Sequence, residues 1–199
     1  MESTARKRDR LATFEDLLEL PDDVRAEILD GVIVEKAAPS FEHSLAQSLI
    51  DRTVGLHFHG RGDGGGGGDA PGGWWIVTEC DIELEPHQVV RPDVVGFRRD
   101  RLAERPRGRP VRVRPDWICE IVSESNAAND TVHKFQVFER HQIPHYWLVE
   151  PERGTLTVYR WENGHYTVAV NAARPDKVRA EPFDAIEISI DVLCGADPE

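Results

Sequence analysis

Apolar residues recur along this chain at two periods, and the switches between them mark out the elements. Thr13, followed three residues later by Asp16 and standing ahead of FEDLLEL, has the form of a helix-opening box, and Pro21 closes that short helix. Val24 to Glu35 then reads as two strands about Asp30-Gly31, a dipeptide that supplies the positive φ angles of a tight hairpin turn. After Ser40, a residue suited to capping, Phe41, Leu45, Leu49, Ile50 and Val54 fall on one side of a predicted helix. Strand-like runs follow: WWIVTECDIEL (74–84), VVRPDVVGF (89–97) and PDWICEIVSE (115–124). A second long helix, behind NAAND, carries Val132, Phe135 and Phe138 as its stripe and ends by Pro144. HYWLVE, TLTVYRW and HYTVAV complete the pattern as three strands, with Gly154 and Asn163-Gly164 at the turns. This order predicts an α/β or α+β sheet with helices on its faces.

The length of 199 residues and the 40% apolar content suit one hydrophobic core. The expected organisation is a mobile segment over 1–12 and a single domain over 13–199, interrupted by a flexible glycine-rich loop at 60–73. That loop lacks the GK[ST] of a phosphate-cradling turn and leads into a strand rather than a helix. No apolar run is long enough for a membrane span, and MESTARKRDR lacks the apolar stretch of a signal peptide, so a cytoplasmic protein is expected. Cys80, Cys119 and Cys194 have neither the number nor the spacing of a disulfide framework or a zinc site.

Charge changes the picture more than composition does. The net charge of -12 opposes binding to a polyanion unless positive charge is gathered locally. It is gathered: Arg98, Arg99, Arg101, Arg105, Arg107, Arg109, Arg112 and Arg114 face only Asp100 and Glu104 within their segment, a local +6. Arg6, Lys7, Arg8 and Arg10 make a smaller cluster. The arginine segment is a candidate phosphate-contacting surface, and equally a solvated loop paired with the protein's own acids.

Two carboxylates interrupt otherwise apolar strands, Asp93 between Pro92 and Val94, and Glu120 between Cys119 and Ile121. If these strands pair antiparallel, a register that sets Asp93 opposite Glu120 also sets Phe97 opposite Asp116, and opposed Cβ atoms stand about 5 Å apart. Such a pair repels unless it shares a proton or a metal, and hard oxygen donors favour Mg2+ or Mn2+. In that register the arginine segment begins about 13 Å from Asp93, at the far end of the strand pair. Lys134, on the following helix, can reach the height of Glu120, while Asp130 four residues earlier allows a plain surface ion pair instead. Asp93 as a strand-end residue and Glu120 as an acceptor for backbone amides are the corresponding plain alternatives. Glu79 and Asp81 alternate along a strand and are assigned to solvent, and the hairpin of Glu27 can likewise present polar residues to water. His57, His59, His141 and His145 lack metal-ligand spacing, and His43 is a weak candidate for a site wall. Ser123 and Ser125 lack a nucleophile elbow.

RPDVV at Asp93, WICEIVSES at Glu120 and DTVHKFQVFERHQIPHYWLVEP from Asp130 together resemble the Uma-type restriction endonucleases of the PD-(D/E)XK nuclease superfamily. AEILDGVIVE and SFEHSLAQSLI extend the resemblance over most of the chain. It implies a restriction-endonuclease-like fold and Mg2+- or Mn2+-dependent hydrolysis of phosphodiester bonds in DNA. Asp93 and Glu120 would be metal ligands, Glu27 a third ligand, and Lys134 the positive group beside the scissile phosphate. The superfamily's usual lysine stands two residues after the second acid, where this chain has Val122. A homodimer would suit cleavage of both strands of a duplex. The rival expectations are a nuclease-like fold serving as a non-catalytic binding or assembly module, and a metal-dependent phosphoesterase acting on a smaller substrate.

Overall fold

The computed structural model describes residues 10–60, 71–122 and 127–197, without the side chains of 127–130. Most of the 60–73 loop, residues 1–9, Ser123, Ser125 and the Asp130 side chain lie outside the described residues. Two sheets carry the architecture. The larger has six strands in the order β10-β9-β8-β7-β6-β3, formed by β3 (Trp74–Thr78), β6 (Val94–Arg98), β7 (Trp117–Ile121), β8 (His145–Glu150), β9 (Thr155–Glu162) and β10 (His165–Ala173). The smaller has the order β2-β1-β5-β4, with β1 (Ala26–Leu29), β2 (Val32–Glu35), β4 (Ile82–Glu85) and β5 (Gln88–Val90). A short pair, β11 (Lys177–Val178) with β12 (Ile188–Ser189), lies near the C-terminus.

All neighbours in the large sheet are antiparallel except β7 and β8. A parallel pair needs a crossover, and α4 (Ala127–Arg140) provides it. One face of the sheet, through Trp117, Cys119, Ile121 and Trp147, packs on Ala46, Ile50, Val54 and Phe58 of a long helical segment. That segment runs through α2 (Phe41–Ile50), a π-helical turn (Asp51–Gly55) and α3 (Leu56–Phe58). Phe183 fills the same layer, its ring 4.7 Å from those of Phe58 and Trp117. The other face, with Ile118 and Tyr146, packs on Val137 and Phe138 of α4 and on Leu29, Ile82 and Val90 of the small sheet. Gly96 leaves room for two indoles: a Cβ there would come within 3.0 Å of the Trp117 ring and 3.2 Å of the Trp74 ring.

The hairpin about Asp30 (φ 48°) and Gly31 (φ 77°) forms as the sequence predicts, and Thr13–Asp16 opens α1 (Phe14–Leu18). Ser40 accepts from the His43 amide as the cap of α2. Two runs divide where single strands were expected. Glu79, at φ 52°, breaks 74–84 into β3 and β4, and Pro92, which has no N–H to give a ladder, separates β5 from β6. Both breaks carry the chain from one sheet to the other. They also set Asp93 and Glu79 at the seam between the sheets.

Candidate active site

Register brings the first two acids together. Val94 pairs with Cys119, Val95 with Ile118 and Gly96 with Trp117, so one further step sets Asp93 opposite Glu120. Asp93 Oδ2 accepts from the Ile121 amide at 2.7 Å, which fixes that carboxylate against β7. Its Oδ1 lies 3.3 Å from both Lys36 Nζ and His43 Nε2. His43 and Gln47, one turn apart on α2, both turn inward, and Gln47 donates to the Asp93 carbonyl at 2.8 Å.

Lys134 reaches the same place from α4. The buried face of that helix holds Lys134, Val137 and Phe138, at the i, i+3, i+4 spacing, whereas Val132 of the expected stripe is exposed. The Lys134 ammonium is enclosed, 3% exposed, and donates to Glu120 Oε1 at 3.1 Å while lying 2.8 Å from Glu27 Oε2. A plain surface role for this lysine is thereby excluded. Glu27 is held by β1; its Oε1 accepts from the Arg91 amide at 2.5 Å and its Oε2 is taken up by Lys134. Lys36, just past β2, donates to the Arg91 carbonyl at 2.8 Å and completes the ring of charges.

Lys36, His43, Asp93, Glu120 and Lys134 line a cavity of about 50 Å3 with Arg25, Glu79, Val122, Thr131 and Tyr146. Burial sets their electrostatics. Glu120 has its pKa pushed up to about 8, by desolvation above all and by the negative charges of Asp93 and Glu27, against the opposing pull of Lys134 and Lys36. Asp93 is also desolvated, but the His43 hydrogen bond, the Lys36 charge and the Ile121 amide outweigh that and hold it well below the usual carboxylate range. For Lys36, desolvation is exceeded by the attraction of Glu120, Asp93 and Glu27, and its pKa rises. Two neighbouring acids are thus driven apart in proton affinity.

The donor set fits a hard dication. Among the described residues no cage of three or more His, Cys, Asp and Glu side chains is gathered. Mg2+ needs none: it keeps most of its waters and is commonly held by one or two carboxylates with substrate phosphates. Asp93 and Glu120 supply two adjacent carboxylates at one cavity.

The family model described as Uma2, "Putative restriction endonuclease", matches residues 12–192. The chain belongs to the Uma2 family. A solved structure described as a putative nuclease from Anabaena variabilis superposes with a TM-score of 0.66 at 22% identity, covering 92% of this chain and 97% of that one. That likeness shows a shared fold. No curated protein matches the chain.

Within this Uma2 chain the structure brings Asp93, Glu120 and Lys134 to one cavity, sets Glu27 behind Lys134 as its ion-pair partner, and adds Lys36 and His43, which carried little or no weight in the sequence. A signal for His43 was present: it and Gln47 are polar residues on the helix face that also carries Ala46 and Ile50. Two assignments to solvent are corrected. Asp81 is buried and accepts from Arg91 Nε and Arg109 Nε, each at 2.6 Å, and Glu79 meets Arg25 at 2.5 Å on the cavity wall.

The arginine segment lies largely elsewhere. It leaves β6 at the end remote from Asp93, and four of its members meet acids: Arg98 with Asp100, Arg101 with Asp116, Arg109 with Asp81 and Arg112 with Glu83. Arg99 lies over the Trp75 ring at 3.3 Å. Arg105, Arg107 and Arg114 are exposed. Part of the segment does arch back, since Val111 bridges to Ile82 and runs beside β4. No helix among the described residues is long and apolar enough to cross a membrane.

Proposed function

We infer that this Uma2 protein is a divalent-metal-dependent endonuclease that hydrolyses phosphodiester bonds in DNA, with Asp93 and Glu120 holding Mg2+ or Mn2+. The observation that carries the reading is the buried meeting of two adjacent carboxylates with the Lys134 ammonium at one small cavity. When bound, the cation would polarise a phosphoryl oxygen and lower the pKa of a water. Lys134 neutralises charge that develops on the phosphate, from a position fixed by Glu27 and Glu120. Glu27 therefore acts as the holder of that ammonium more than as a third ligand. Lys134 supplies from α4 the charge that a lysine at the place of Val122 would supply from β7. Lys36 and His43 keep Asp93 ionised and aimed into the cavity.

Arg105, Arg107 and Arg114 are the members of the arginine segment best suited to a DNA backbone, and two copies about a two-fold axis would present two cavities to a duplex. The test is cleavage of supercoiled plasmid in Mg2+ or Mn2+, with and without chelator. Wild type should nick or linearise it only with metal, and Glu120→Gln should abolish this. Equal cleavage by Glu120→Gln contradicts the assignment. A second reading, a non-catalytic module, draws on the net charge of -12 and on Val122. It predicts no cleavage under any of these conditions.

A further inference from the structure

Tyr146 is a buried polar group that the roles above leave unused. It stands on β8 opposite Ile118 of β7, so its side chain shares a sheet face with Glu120, two residues along, and is directed toward α4. Its ring is clamped: stacked on Tyr159 at 5.7 Å and edge-on to Phe138 at 5.1 Å. It lines the cavity with Glu120 and Lys134, yet its hydroxyl is fully buried and has no hydrogen-bond partner among the described residues.

A neighbour provides the comparison. Tyr166 belongs to the same aromatic cluster, 6.1 Å from Tyr146 ring to ring, and its hydroxyl donates to the Ile143 carbonyl at 2.9 Å. A packing role would be filled as well by phenylalanine at 146, without the penalty of an unmet hydroxyl. The unmet hydroxyl is therefore kept for something that enters the cavity. The other unpaired ring donors, such as Trp117 Nε1, do not line it.

We propose that the Tyr146 hydroxyl is a further substrate-binding group of this site, donating to a phosphoryl oxygen that enters the cavity lined by Glu120 and Lys134. This rests on the nuclease reading for its substrate. The chemistry requires only that a phenol donates and a phosphoryl oxygen accepts. Because the hydroxyl is fixed before the ligand arrives, its bond costs no reorganisation as charge builds on that oxygen.

The test compares Tyr146→Phe with Tyr166→Phe in the full chain, by thermal melting in magnesium buffer with and without inorganic phosphate and by plasmid cleavage. Tyr146→Phe should melt about 2–4 °C higher than wild type without phosphate. It should also lose the phosphate-induced rise in melting temperature that wild type shows, and lower kcat/KM by about 10²-fold. Tyr166→Phe should melt lower and keep the phosphate effect. A full phosphate effect in Tyr146→Phe, a lower melting temperature for it without phosphate, or no phosphate effect in wild type each overturns the proposal. If wild type cleaves no DNA but loses its phosphate effect with the Tyr146 hydroxyl, the nuclease reading fails and the Tyr146 contact stands. If wild type cleaves and Tyr146→Phe matches it in every readout, the reverse holds.

Discussion

The β6–β7 pair carries charge at both ends, and the two ends handle it differently. At the Asp93–Glu120 end, ammonium and carboxylate groups are enclosed and share partners, so no member is satisfied independently. At the arginine end the guanidiniums are mostly exposed, and of the acids they meet Asp116 and Asp81 are buried while Asp100 and Glu83 are not. Desolvation explains the contrast. Ions taken out of water interact strongly and shift one another's protonation, whereas exposed pairs are screened and contribute little. A dense run of like charge in the sequence is therefore a poorer guide to chemistry than single charges set in apolar strands.

The largest break in this comparison should come from Lys134→Met. Removing the ammonium leaves Glu27 and Glu120 facing each other, and the expected loss is about 3–5 kcal/mol in denaturant unfolding together with loss of metal-dependent cleavage. Next is Glu120→Gln, read through pH. Folding raises the Glu120 pKa from 4.5 to about 8, so the folded protein binds the extra proton between those values and its stability falls as pH rises through that window. Asp93 acts oppositely: its pKa is lowered from 3.8, so its contribution is present above that value and is lost as pH falls below it. Glu120→Gln should remove the decline between pH 5 and pH 8, worth up to about 4 kcal/mol, and an unchanged decline would place its origin elsewhere.

Smaller effects are expected at the other end. Arg101→Ala should cost about 1 kcal/mol, because the Asp116 carboxylate loses its Nε and Nη2 donors but keeps the Arg98 amide, and plasmid cleavage should be unaltered. Arg105→Ala and Arg107→Ala should change stability by no more than about 0.5 kcal/mol while reducing the salt dependence of DNA binding. Destabilisation there comparable to that of Lys134→Met would erase the distinction between the two ends.

Much of the site was legible because its parts obey local rules. Asp30-Gly31 dictates the hairpin that carries Glu27, and the alternation of the two apolar strands admits the register that sets Asp93 beside Glu120. The division into two sheets was not legible, because period-two alternation does not say which sheet a strand joins. Glu79 and Pro92 make that switch through backbone conformation alone. The stripe of α4 holds at Phe135 and Phe138 and fails at Val132, which is exposed, while the buried face also takes in Val137 and the charged Lys134. Lys36 escaped notice because it lies at a strand end, where lysine is ordinary, and its partner Asp93 is 57 residues away.

The central claim is that Asp93 and Glu120 jointly hold a hard dication, and calorimetric titration of Mn2+ at pH 8 into wild type and Asp93→Asn tests it most directly. The account predicts one saturable site in wild type that disappears in Asp93→Asn while the variant remains folded. The same isotherm from both proteins would contradict it.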